Sequence, residues 1–179
     1  PGDEIIGEED GSSKDRIARV LGDRGWLIDP LDGTFNFVHG FPDFSATVAY
    51  VVDGQAVVGA TYAPLLNECF TAANGMGATL NDEPIRVSSR TRLSQAIVNV
   101  WLGQPENAAT VSKYQSIRRA TFSQRTFGGT ALILAYVAAG RFDLFHTSPS
   151  PRMGQWDIAA GAILAQEAGA TITLANGDP

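Results

Sequence analysis

The sequence predicts an α+β protein in which helices are layered on a largely antiparallel sheet. Three observations carry this. The first half holds apolar, β-branched segments separated by Asp-Gly and Asn-Gly pairs. The second half holds two alanine-rich, almost wholly apolar helical segments. Strands and helices do not alternate strictly, as a parallel βαβ protein would require.

Taken in order, residues 1–16, "PGDEIIGEEDGSSKDR", are acidic and rich in Gly and Ser, so most of them read as loop with "EIIG" as a short strand. "WLID" (Trp26–Asp29) is a short buried strand, stopped by Pro30. "TFNFVHG" predicts a helix of two turns with Thr34 as its N-cap and Gly40 as its stop. The clearest β signal follows. "FSATVAYVV" and "AVVGATYAP" flank Asp53-Gly54, a favoured hairpin turn. "NECFTAANGMGATLNDEPIRV" continues as short strands divided at Asn74-Gly75 and Asn81-Asp82, and such a meander is antiparallel. "ENAATVSKYQSIRRA" is a polar helix. "GTALILAYVAAG" (Gly129–Gly140) is a buried helix, and "WDIAAGAILAQEAG" (Trp156–Gly169) is a second one that precedes a strand, "ATITL".

The chain of 179 residues is 44% hydrophobic and 18% charged, which suits one domain with a sizeable core. Its 13 basic and 19 acidic residues leave a net charge of -6, with no basic stripe, and this argues against a nucleic-acid partner. The single cysteine, Cys69, cannot form an internal disulfide and reads as a buried small hydrophobe. No run approaches the roughly 20 apolar residues of a membrane span, and no signal peptide opens the chain, so a cytoplasmic protein without a membrane partner is expected. The chain begins with Pro1 on a polar loop, as a fragment or trimmed chain does.

The chemistry sits in carboxylates placed where elements change. Glu8 and Glu9 follow "IIG"; Asp29 and Asp32 follow "WLI"; Asp157 opens an apolar helix. Each alone fits a structural role: a solvated acidic loop, a turn with a cap, a dipole partner. Two aspartates crowded at the end of an apolar segment nevertheless repel each other and resist burial without a positive charge. Acids with few bases beside them suit hard cations such as Mg²⁺, whereas zinc calls for more His or Cys than this chain has. A helix beginning at Thr34 points free N–H groups outward, and Gly33 allows close approach, so an anion is favoured beside such cations.

Together the motifs resemble the inositol monophosphatase family of metal-dependent, lithium-sensitive phosphomonoesterases. The resemblance rests on "GEE" (Gly7–Glu9), "WLIDPLDGTFNFVHGFP" (Trp26–Pro42) and "WDIAAGAILAQEAG", in the family's order and near its spacing. It extends through "NGMGATLNDEPIRVS" and "GGTALILAYVAAGRFD". It implies a layered αβαβα sandwich of the inositol monophosphatase/fructose-1,6-bisphosphatase type, usually a homodimer. Residues 1–179 would form one such domain, lacking the family's N-terminal helical pair and its C-terminal end.

By the same resemblance, Glu8, Asp29, the Leu31 carbonyl, Asp32 and Asp157 would hold two or three Mg²⁺ ions. Glu8, Asp32 and Thr34 would be catalytic, with Thr34 orienting or deprotonating a metal-activated water. The Gly33 and Thr34 amides would bind phosphate. Asp32, Asp157 and the segment Gly128, Gly129 and Thr130 would contact the substrate. The implied substrate is a phosphate monoester of inositol or a related sugar or polyol. Departures leave alternatives open. In "FHTSPSPRMGQWD" there is no acid between Asp143 and Asp157, so His146 or Ser150 takes the place of the glutamate that binds a ring hydroxyl in inositol-specific members. Arg152 could meet a second phosphate. Fructose-1,6-bisphosphatase, histidinol-phosphatase and nucleotide 3′-phosphatase activities are the alternatives on the same scaffold. A haloacid-dehalogenase-type phosphatase is disfavoured, because its two aspartates are one residue apart and here Pro30 and Leu31 intervene. A binding module without catalysis is the reading from outside enzymology.

Overall fold

The computed structural model describes residues 2–11, 14–101, 108–147 and 153–174. A seven-stranded sheet runs in the order β1 to β7 along the chain. Strand β1 (Glu4–Gly7) pairs parallel with β2 (Arg24–Asp32), and α1 (Lys14–Gly22) makes the crossover between them. From β2 onward every pairing is antiparallel: β3 (Ser45–Val52), β4 (Gln55–Ala63), β5 (Glu68–Ala73), β6 (Gly77–Leu80) and β7 (Glu83–Ile85). The Asp53-Gly54 hairpin forms as expected, with both residues at positive φ (48° and 77°), the signature of a turn that matches strand twist.

A second sheet of three parallel strands has β8 (Ile97–Trp101) between β10 (Leu144–Thr147) and β9 (Ser123–Arg125). The antiparallel meander does not predict it. Its strands are short and far apart in sequence, so no local turn signals their pairing.

Between the sheets lie α4 (Thr130–Ala138) and α5 (Ala159–Glu167), both buried as their composition requires. They pack closely because Gly161 has no side chain: a Cβ there would stand 2.5 Å from that of Leu134. Their core takes in Phe70, Ala72, Leu132, Ile133, Ile163 and Leu164. Helix α1 covers the same face of the large sheet, its Ile17, Val20 and Leu21 meeting Ile6, Leu27 and Val51. On the outer side of the small sheet, Ile117 of α3 (Ala108–Ala120) packs on Ala96, Val98 and Val100. The described layers are therefore β, α, β, α. The far face of the large sheet, with Ile28, Pro30, Ala46, Val48, Ala60 and Tyr62, encloses only a shallow cavity of about 220 Å³.

Several local expectations are corrected. Helix α2 (Thr34–Val38) is shorter than two turns, and Gly33, not Thr34, is its N-cap. Thr34 is the first helical residue because its hydroxyl turns back to donate to the Leu31 carbonyl (3.0 Å) instead of capping forward. Residues 170–174 form no strand, there being no neighbouring strand among the described residues to pair with. Asp157 lies in the turn before α5, not in its first turn. Cys69 is half-buried, since the pleat turns it opposite to buried Phe70. Helix α1 was not anticipated within the polar opening segment.

Candidate active site

The site is built at one end of the large sheet by β2. A strict strand would turn Asp29 and Asp32, three residues apart, to opposite faces. The β2–β3 register shows why it does not. Asp29 is opposite Thr47, but Asp32 is opposite Ser45, so three steps on β2 match two on β3. The extra residue is a bulge at Pro30-Leu31, where proline has no N–H to give the ladder. Both carboxylates thereby reach the face covered by the helices, and both are buried, Asp29 to 1% and Asp32 to 6% exposure.

Glu8 arrives through β1, whose Gly7 pairs with Ile28, so the next residue falls beside Asp29. Asp157 arrives from the turn before α5, where it accepts a hydrogen bond from the Gly154 amide (2.8 Å). Helix α5 can settle there because Gly59 on β4 leaves room; a Cβ would meet Ile163 at 2.7 Å and the Ala160 backbone at 2.9 Å. Glu8, Asp29 and Asp157 each present a carboxylate oxygen, and these oxygens all lie within 4.8 Å of one another. Glu8 stays exposed as a residue although its carboxyl end joins this group.

The electrostatics are those of acids gathered without a counter-charge. Burial, then the Asp29 charge, pushes Glu8 up to about 7. Burial raises Asp29 to about 6, against the pull of the Leu31 amide, with the Asp157 charge adding to the rise. Burial raises Asp157 to about 6, opposed by the Gly154 amide, while the Glu8 charge raises it further.

Asp32 stands apart from this trio. Its oxygens accept hydrogen bonds from the amides of Thr130 (3.0 Å), Ala131 (2.9 Å) and Leu132 (3.4 Å), the first turn of α4, and from the Ser45 hydroxyl (3.5 Å). Burial nevertheless raises it to about 7, with Asp29 as the next cause. Gly129 turns the chain into α4 at φ 90°, a conformation that suits glycine, and a Cβ there would stand 3.3 Å from Asp32 Oδ2. Gly33 (φ 86°) likewise lies against the Asp43 carbonyl, which a Cβ would approach to 2.9 Å. Leu31 donates its amide to Asp29 Oδ1 (2.8 Å), and its carbonyl accepts from Thr34.

Of the expected site residues, the structure thus brings Glu8, Asp29 and Asp157 into one cluster. Leu31 is tied to Asp29 and Thr34 to Leu31, the charges of Asp29 and Asp157 reach Asp32, Thr130 donates to Asp32, and Gly33, Gly128 and Gly129 adjoin these residues in the chain. Ser45 and Ala131 were missed; pairing Asp32 with the start of β3 would have found Ser45. His146 on β10 is in register with Val100, on the side facing α3. Burial lowers its pKa and the Lys113 charge of α3 adds to this, so its surroundings are those of the outer layer. Ser150 and Arg152 lie outside the described residues.

The whole chain, residues 1–179, matches the Inositol monophosphatase family. It is similar to inositol monophosphatase 2 of Solanum lycopersicum, 39% identical over 99% of this chain and 68% of that one. It is also similar to a fructose-1,6-bisphosphatase/inositol-1-monophosphatase of Thermotoga maritima, 42% identical over 87% of this chain and 59% of that one. The structure of inositol monophosphatase from Anabaena (Nostoc) sp. PCC 7120 superimposes with a TM-score of 0.88 at 33% identity, over 100% of this chain and 69% of that one. The chain therefore spans about two thirds of the length of such relatives. With a match along its full length and the sandwich fold in common, the chain belongs to the inositol monophosphatase family.

Proposed function

We propose that the chain carries the site of a Mg²⁺-dependent phosphatase that hydrolyses a phosphate monoester of inositol or a related sugar or polyol. The observation that carries this reading is the meeting of Glu8, Asp29 and Asp157, from three separate segments, with the turn that leads to Thr34 tied to Asp29 through the Leu31 amide. The donor set fits the cation. All its ligands are carboxylate oxygens, no His or Cys joins them among the described residues, and each acid is raised by burial and by its neighbours' charge. Glu8, Asp29 and Asp157 would hold Mg²⁺, with the Leu31 carbonyl and the remaining lone pairs of Asp32 available to a second or third ion. When bound, Mg²⁺ supplies Lewis-acid polarisation of the phosphate and makes water a stronger nucleophile at neutral pH.

The protein's own groups do the rest. Thr34 spends its hydroxyl proton on the Leu31 carbonyl, which leaves its oxygen as an acceptor; in this reading that oxygen orients the attacking water through one of the water's hydrogens. Glu8 accepts the water's other hydrogen. The Gly33 and Thr34 amides bind phosphate oxygens. Asp32 is braced by α4, so the Gly129–Thr130 turn sits at a fixed place for contact with the hydroxyls of the alcohol. A bisphosphate substrate is the second reading, favoured by similarity to the Thermotoga maritima protein. Homodimerisation, lithium sensitivity and a cytoplasmic location belong to the same reading. Among the described residues no helix is long and apolar enough to cross a membrane.

The test is phosphate release with Mg²⁺ from a panel of inositol 1-phosphate, fructose 1,6-bisphosphate, histidinol phosphate and nucleotide 3′-phosphates. Release from inositol 1-phosphate that disappears on chelation is expected. A folded chain that binds Mg²⁺ and hydrolyses none of them would be a binding module instead.

A further inference from the structure

We propose that Asn36 is a positioning residue of this site, its side-chain amide fastening the Gly33–Thr34 turn to the turn that opens α4. The inference rests on the phosphatase reading above. Asn36 Nδ2 donates to two backbone carbonyls, that of Asp43 (2.7 Å) and that of Gly128 (3.3 Å). The second lies 92 residues along the chain. The amide's two hydrogens are thereby divided between two segments.

The Asp43 carbonyl is where these segments converge. A Cβ on Gly33 would stand 2.9 Å from it and one on Gly129 would stand 3.4 Å from it. Gly128 is close enough to the amide that its own Cβ would lie 3.3 Å from Asn36 Nδ2. The next residues, Thr130 and Ala131, give their amides to Asp32. A continuous path therefore leads from Asn36 through Gly128 and Gly129 to the carboxylate of Asp32, and through α2 to Thr34. Asn36 reaches the chemistry only through these neighbours. With its donors gone, the Gly128–Thr130 turn loses its tie to α2, and Asp32 and Thr34 no longer hold one relative position.

Two substitutions separate this role from simple packing. Asn36→Leu keeps the size and removes the donors; Asn36→Gln keeps an amide donor on a longer arm. Each is assayed for kcat, KM and Mg²⁺ dependence on inositol 1-phosphate, well below its Tm, and for Mg²⁺ affinity by calorimetry without substrate. For Asn36→Leu, kcat should fall about tenfold or more and Mg²⁺ binding should weaken by about tenfold, with Asn36→Gln recovering much of both. If Asn36→Leu is too unstable to assay, Asn36→Ala takes its place. Wild-type kinetics and Mg²⁺ affinity in the donor-free variant overturn the proposal, as does a loss of Tm alone or a Gln variant no better than Leu. A wild type that binds Mg²⁺ but releases no phosphate from any substrate defeats the phosphatase reading alone, and the calorimetric comparison still decides the role of Asn36. A wild type that binds no Mg²⁺ defeats both.

Discussion

Replacing Asp29 by asparagine should stabilise the cation-free protein while abolishing its activity. Asp29 is buried and titrates near 6 in the folded chain, against an ordinary value of 3.8. The folded state therefore binds this proton more tightly than the unfolded chain does. The resulting stability is present in full below 3.8 and is lost as the pH rises through about 6. At about 1.36 kcal/mol per pH unit, ionised Asp29 costs about 3 kcal/mol at pH 8. Asparagine has the same shape and keeps an oxygen to accept the Leu31 amide, but carries no charge. For a chain of this size, about 3 kcal/mol corresponds to about 6–12 °C in Tm. Scanning calorimetry in chelator should show Asp29→Asn melting higher than wild type by this amount at pH 8, with the gap closing toward pH 4. Saturating Mg²⁺ should reverse the order, because the wild type binds the cation more tightly. Turnover should fall by about 10²-fold or more, as for loss of a major electrostatic group. A cation-free variant no more stable than wild type at pH 8, or a gap that does not change with pH, would refute the account of Asp29 as a buried, uncompensated charge.

Mg²⁺ affinity should rise steeply between about pH 5 and about pH 8, since ligands held up to about 6 and about 7 must lose protons before they bind; calorimetry at several pH values checks this, and a flat profile counts against the ligand set. Gly129→Ala should destabilise by about 1–2 kcal/mol, the cost of a side chain at positive φ, and should lower kcat by disturbing Asp32; denaturant melts and steady-state kinetics read the two effects. Gly59→Ala should destabilise by about 1–3 kcal/mol or more through overpacking against Ala160 and Ile163, with Mg²⁺ affinity falling as α5 and Asp157 are pushed outward.

How much of this was legible in sequence depended on how local the signal was. The Asp53-Gly54 hairpin and the buried α4 and α5 could be read directly, because turn chemistry and composition act over a few residues. The acidic cluster was legible through motif resemblance, which implies metal ligands at Glu8, Asp29 and Asp157, and burial with crowding explains why acids gathered there would suit a cation. What the sequence did not disclose was the device that unites Asp29 and Asp32 on one face. Strict alternation separates them, and only the register against Thr47 and Ser45 exposes the bulge at Pro30-Leu31. The parallel small sheet escaped for a related reason: Val98 meets Gln124 and Leu144 across long connections that carry no local mark. Helix α1 did have a signal, Ile17, Val20 and Leu21 at helical spacing, but it is brief and set in a polar stretch.

Among the described residues, strand β1 is a sheet margin of four residues, joined to the rest of its sheet by β2 alone, yet it delivers Glu8. Such a margin opens more readily than a central strand. Filling the cluster would then do more than neutralise charge: it would rivet the loosest border of the sheet to its interior. Amide exchange at Ile5 and Ile6 should therefore slow on cation loading far more than at Val48 or Ala49, turning the edge of the molecule into a gauge of occupancy at its centre.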